Sequence, residues 1–102
     1  MPRARPTRIP SRDYQKLLAA IYTVMAKLTT PQEVDLFFKE LLSPSELLML
    51  ARRLRIAQML IEGETYANIK QELHVGLQTI TNVNHWIEQG GRGYRQAIKK
   101  IK

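Results

Sequence analysis

A chain of 102 residues supports at most one modest hydrophobic core, and a core of that size gains from oligomerisation. Its 44% hydrophobic and 25% charged residues are ordinary for a globular protein, no apolar run nears the ~20 residues that span a bilayer, and without cysteine it makes neither disulfides nor a thiolate metal site. The net charge of +7 sits at the ends: residues 1–16 hold five Arg/Lys against one Asp, residues 89–102 hold five and no acid, and the middle is slightly acidic.

Basic ends on a near-neutral centre fit a polyanionic partner such as nucleic acid, and equally fit solvated tails that bind nothing specific. Residues 1–10, with three prolines and three arginines, read as a disordered basic arm. They lead into no apolar signal-peptide core, so the expected location is the cytoplasm and no membrane partner is expected. Residues 11–102 read as one helical domain. Ser11 is the expected cap of a first helix with an apolar stripe at Leu17, Leu18, Ile21, Val24, Met25 and Leu28.

Two further helix starts are explicit. Thr30-Pro31-Gln32-Glu33 and Ser43-Pro44-Ser45-Glu46 each place a hydroxyl at the cap, proline at the first helical position and glutamate at the third. The hydroxyl accepts an orphan backbone N–H, proline gives up an N–H that had no partner, and glutamate reaches back to the cap. The second helix is expected to bury Val34, Phe37, Phe38, Leu41 and Leu42. The third, ending at Gly63, is apolar over a wide arc: Leu47, Leu48, Leu50, Ala51, Leu54, Ala57, Leu60 and Ile61. Such a helix is central or meets a second subunit, which points to a homodimer.

Beyond Gly63, a short helix capped by Thr65 runs to Leu73, His74-Val75-Gly76 forms a tight turn, and a second helix spans about Leu77 to Gln89. Ile69, Leu73, Val75, Ile80 and Val83 are spaced to pack two short helices steeply across that turn, as in a helix-turn-helix. His74 stands where a glycine is usual, and histidine is among the residues that tolerate a left-handed backbone. Gln78, Thr79, Thr81 and Asn82 make a short, uncharged polar face suited to base edges in a major groove. The spacing alone also fits a plain αα-hairpin with a solvated face. Gly90-Gly91-Arg92-Gly93 ends the second helix and turns the chain into a last one around Tyr94, Ala97, Ile98 and Ile101, with Arg92 and Arg95 facing phosphates or solvent.

No catalytic or metal constellation is legible. His74 and His85 are isolated, no nucleophile motif surrounds a serine, and the glycines of 90–93 follow a helix rather than a strand. An enzyme is therefore not expected, and no cofactor is implied. Trp86, the sole tryptophan, reads as a core or hinge residue.

Several separate motifs carry a resemblance: Ser43-Pro44-x-Glu46, Arg53-Leu54-Arg55-Ile56-Ala57, Gly63-x-Thr65-Tyr66, Thr79-Ile80-Thr81-x-Val83-Asn84 and Gly90-x-x-Gly93-Tyr94. From about Thr30 onward the chain resembles the Trp repressor family, most closely the branch of uncharacterised Trp-repressor-related proteins. The resemblance implies an all-α, six-helix fold, an intertwined homodimer, and two recognition helices entering successive major grooves of a palindromic operator. It places Lys70, Leu77, Gln78, Thr79 and Thr81 toward double-stranded DNA, with the backbone amides around Thr65 and Tyr66 holding a phosphate.

It also implies an effector pocket at Ser43, Arg53, Asn82, Val83 and Trp86, and here the chain departs from the family. Of the two arginines that flank the indole in the family, Arg53 matches one while Asn82 replaces the other; a glycine becomes Val83 and a small serine becomes Trp86. Tryptophan as corepressor is therefore not expected, and Trp86 is expected to fill the ligand space itself. The expected function is a sequence-specific, repressor-like transcription regulator; the alternative is a non-specific nucleic-acid-binding or protein-interaction module.

Overall fold

In a computed structural model, which describes residues 8–101, the described chain is six α-helices with no strand. They are α1 (Ser11–Lys27), α2 (Pro31–Leu41), α3 (Pro44–Ile61), α4 (Tyr66–Leu73), α5 (Leu77–Glu88) and α6 (Arg92–Lys100). Most of the expected basic arm lies outside the described residues. The chain divides into two compact units, one ending at Leu41 and the other running from Leu42.

In the first unit, Ser11 is not the cap. It is the first residue of α1, the cap position is Pro10, and the Pro10 carbonyl accepts the first intrahelical bond from the Tyr14 N–H at 3.0 Å. Proline at the cap supplies no side-chain oxygen, so the first turn has no side-chain cap. The half-buried stripe is Tyr14, Leu18, Ile21, Met25 and Leu28, whereas Leu17 is 66% and Val24 40% exposed. The expected burial of α2 is also only partial: Val34, Phe37 and Phe38 are half-buried and Leu41 is exposed. No residue of α1 or α2 is fully buried.

The start of α2 departs in one detail from the expected box. The Glu33 N–H donates to the Thr30 hydroxyl at 3.1 Å and the Glu33 carboxylate reaches back to that hydroxyl at 3.3 Å, but it also accepts from the Thr29 hydroxyl at 2.7 Å and the Thr29 N–H at 3.3 Å. Thr29 offers two donors one residue before the cap, and the glutamate takes both.

In the second unit α3 opens with a complete capping box: the Ser43 hydroxyl accepts from the Glu46 N–H at 3.1 Å, and the Ser43 N–H donates to the Glu46 carboxylate at 2.8 Å. The helix closes at Glu62, and Gly63 follows at φ 88°, a left-handed turn that favours glycine. The core joins Ile56, Ala57 and Met59 of α3, Ile69 of α4, Val75 of the turn that follows, Ile80 and Val83 of α5, and Ile98 of α6. Leu60, Ile61, Tyr66, Leu73, Ile87 and Tyr94 pack on it. Two members, Ile56 and Met59, were absent from the expected apolar arc. Of the expected arc, Leu48, Leu50 and Leu54 remain 49%, 45% and 38% exposed. The helix carries two apolar stripes, and only the one containing Ile56 and Met59 faces α4 and α5.

The two glutamates at these helix starts titrate low. Donation from the Ser43 N–H and the Ser43 hydroxyl holds Glu46 below its ordinary value of 4.5. The Thr29 hydroxyl, then its N–H, does the same for Glu33. A carboxyl whose folded-state pKa is depressed contributes stability above its unfolded pKa and loses it as pH falls through the folded value. The melting temperature is therefore expected to hold above about pH 4.5 and to decline on further acidification; melts followed by circular dichroism check this, and a rise on acidification contradicts it.

Candidate nucleic-acid interface

The Thr65 hydroxyl accepts from the Asn68 N–H at 3.1 Å and starts α4. Asn68 also donates its side-chain amide to Glu64 at 3.1 Å. Beside the amides expected to hold a phosphate there is thus a carboxylate, which weakens that position for an anion. Tyr66 is half-buried against the core, while Lys70 stands exposed one turn on.

His74 ends α4 with φ 55° and ψ 44°, its N–H donating to the Lys70 carbonyl at 3.0 Å. It is the one non-glycine residue at positive φ among those described. The left-handed step reverses the chain and drops Val75 into the core, 8% exposed. Gly76 then takes the cap position of α5 without any side-chain cap. Ile69, Ile80 and Val83, all at most 3% exposed, lock α4 and α5 together over α3, as the spacing requires. Arg55 spans α3 and α4 through Glu62 at 3.7 Å and Glu72 at 3.8 Å, pairs exposed enough to orient more than to stabilise.

With Ile80 and Val83 turned inward, 3.6-residue periodicity sends Gln78, Thr81, Asn82 and His85 outward on one stripe about 10 Å long. All four are exposed, and Leu77 at the head of the helix is 56% exposed. The Gln78 amide donates to the Asn82 side-chain oxygen at 2.9 Å, and the Thr81 hydroxyl donates to the Leu77 carbonyl at 3.0 Å. Thr79 lies off this stripe. It is half-buried and, with Met49, Arg52, Arg53, His74, Val75, Gly76 and Asn82, lines a cleft of about 180 Å³ between α3 and the turn. His85, isolated as a candidate metal ligand, stands three and seven residues from Asn82 and Gln78 and so joins the same exposed stripe.

The expected effector residues come together in part. Arg53, Asn82, Val83 and Trp86, joined by His85 and Tyr94, line an open cleft of about 310 Å³. Ser43 is not in that lining; its hydroxyl and N–H are occupied in the capping box. Trp86 does not fill the cleft as expected. It is 63% exposed, meets the His85 ring edge-on at 6.1 Å, and forms one wall, because the left-handed turn at Gly90-Gly91 sets α6 and Tyr94 on the far side. Arg95 is exposed and anchored locally: its Nε donates to the Gly90 carbonyl at 2.9 Å and closes the end of α5.

Among the described residues no three of His, Cys, Asp or Glu gather as a metal site, and no helix is long and apolar enough to cross a membrane. The fold and this exposed stripe define a small helix-turn-helix protein. The chain belongs to the Trp repressor family, whose profile, described as Trp repressor protein, matches residues 15–102. It is 32% identical over 87 residues to the uncharacterized protein YerC of Bacillus subtilis (strain 168), covering 85% of this chain and 84% of that one. A crystal structure titled as that of a "putative Trp repressor" from Staphylococcus aureus superposes with a TM-score of 0.80 at 28% identity, covering 84% of this chain and 86% of that one. The family is one of regulators rather than enzymes.

Proposed function

We propose that this chain is a cytoplasmic, repressor-like transcription regulator that reads a palindromic operator as a homodimer, and does so without tryptophan. The observation that carries the reading is the outward stripe of α5. Gln78, Thr81 and Asn82 are exposed polar groups on a helix whose opposite side is fixed by Ile80 and Val83. A recognition helix needs this combination, because base contacts specify only when their scaffold is rigid, while phosphate contacts position the protein. Lys70 and the basic chain ends supply the phosphate contacts, and Leu77 offers an apolar surface to a thymine methyl.

Dimerisation is supported by the apolar groups the single chain leaves uncovered. Leu48, Met49, Leu50 and Leu54 of α3 are each more than a third exposed, as are Leu17 and Tyr22 of α1 and Leu36 of α2. Exposed apolar surface on this scale marks an association face.

Independence from tryptophan is supported by the cleft itself. Among the described residues Arg53 is the one arginine that lines it, and Asn82 offers no second guanidinium to sandwich an indole. Titration calorimetry is expected to show no micromolar binding of tryptophan; heat saturating in that range overturns this part of the reading.

The test of sequence reading is Gln78→Ala. Binding to a selected operator should weaken by ~1–3 kcal/mol while binding to random duplex stays nearly constant. Equal losses on both DNAs favour a non-specific nucleic-acid or protein-interaction module instead.

A further inference from the structure

The stripe on α5 contains one hydrogen bond that bears on which base is read. Gln78 has three rotatable side-chain bonds and stands in solvent, so an isolated glutamine there is disordered and its amide can present either end to a partner. It is not isolated. Its Nε2 donates to the Oδ1 of Asn82, one turn along the same helix, at 2.9 Å. Neighbouring polar groups are spent elsewhere: the Thr81 hydroxyl donates to the Leu77 carbonyl at 3.0 Å, and the Asn84 amide donates to the Glu88 carboxylate at 2.9 Å. Asn82 is thus the side chain that holds the Gln78 amide, with nitrogen toward Asn82 and oxygen away, and the opposite arrangement requires both amides to turn together.

Resting on the DNA-binding reading above, we propose that Asn82 is a positioning residue for Gln78, and that the pair selects adenine over guanine at one position of each half-site. The bond to Asn82 takes one Nε2 hydrogen. The second hydrogen and Oε1 remain as a donor beside an acceptor. Adenine presents the complement in the major groove, the N7 acceptor beside the N6 donor. Guanine presents two acceptors, N7 and O6, so Oε1 meets a like group and one contact turns repulsive. An unheld glutamine escapes that clash by turning only its NH2 end to the base; with the bond to Asn82 made, it does so only if both amides turn together. The Thr81 hydroxyl hydrogen is already spent, so what Thr81 adds to the groove is a methyl group and an acceptor. With Leu77, 56% exposed, it makes an apolar edge suited to a thymine methyl.

The experiment is binding-site selection from random duplexes with the full-length protein, followed by affinity measurements on the selected site and its single-base variants. The position read by Gln78 is the one whose preference disappears in Gln78→Ala. That position is expected to be adenine, and its replacement by guanine is expected to weaken binding on the order of tenfold to a hundredfold. In Asn82→Ala the adenine-to-guanine ratio is expected to fall about twofold, the worth of one exposed Gln–Asn bond a helical turn apart. In Asn82→Asp the carboxylate still accepts from Nε2. The ratio is expected to persist while total affinity drops, from added negative charge near phosphates. Asn82 is exposed, so neither change threatens the core, and a urea midpoint near that of the parent verifies it.

Full discrimination in Asn82→Ala, guanine at the Gln78 position, or loss of the ratio in Asn82→Asp each overturns the inference while leaving a sequence-specific protein. A selection that enriches no site overturns the DNA-binding reading, and the inference with it.

Discussion

Replacing Ile80 with alanine is expected to destabilise the protein by about 2–5 kcal/mol, a large share of the stability of a small domain. Ile80 is wholly buried, as are Ile56 of α3 and Ile69 of α4, and these three are the largest fully buried side chains. Each comes from a different helix, so their meeting point holds the reading head on its support. Alanine at position 80 leaves a cavity where α5 meets the rest, and the surrounding helices collapse into it only partly. Urea unfolding at fixed protein concentration measures the loss. Leu77→Ala, three residues away and 56% exposed, is the matched control, expected within about 0.5 kcal/mol of the parent. If the two variants unfold together, the inward side of α5 has been misassigned. DNA binding should fall in Ile80→Ala even where the chain stays folded, because the stripe from Gln78 to His85 is aimed by this contact.

The second large effect is expected from salt. The chain offers Lys70 on α4 and carries basic residues at both ends, and the proposed dimer would present them twice. A complex with six to ten phosphate contacts releases counterions in proportion, and its affinity falls about 10³- to 10⁵-fold between 50 and 200 mM salt. Gel-shift titrations over that range give the slope of log affinity against log salt. Lys70→Ala should reduce the slope by about one per protomer while leaving the order of preferred sequences intact, since a phosphate contact carries no base information. A flat salt dependence contradicts phosphate contact altogether. The Glu64 carboxylate at the start of α4 is why Lys70, rather than the amides around Thr65 and Tyr66, is chosen for this test.

The helix starts that were legible in the sequence are those closed by a local hydrogen bond. Ser43 and Glu46, Thr30 and Glu33, and Thr65 and Asn68 each satisfy a backbone donor within a few residues, so spacing along the chain nearly dictates the outcome. Where a competing donor lay next door the reading slipped by one residue, as Glu33 did toward Thr29. Ser11 had no such partner, and the cap fell to Pro10. Of the proposed reading residues, Gln78, Thr81 and Asn82 were found because they share a helix and a period. His85 was missed although the same period reaches it. Trp86 was misjudged for another reason: a large aromatic side chain argues for burial, but nothing local says which way the chain turns after Gly91.

The sequence by itself determined the six helices, the starts of α2, α3 and α4 and the helix-turn-helix spacing, because capping, left-handed turns and apolar period act over a few residues. Tertiary structure alone decided which side of α3 carries the core. Apolar over a wide arc, that helix offers two stripes of similar character, and local pattern cannot rank them. Ile56 and Met59 face α4 and α5, while Leu50 and Leu54 stay uncovered, because packing depends on partners distant in the chain. The cleft is decided in the same way. Arg53 and Tyr94 lie forty-one positions apart, and only the stacking of α3, α5 and α6 puts them around one space with Asn82.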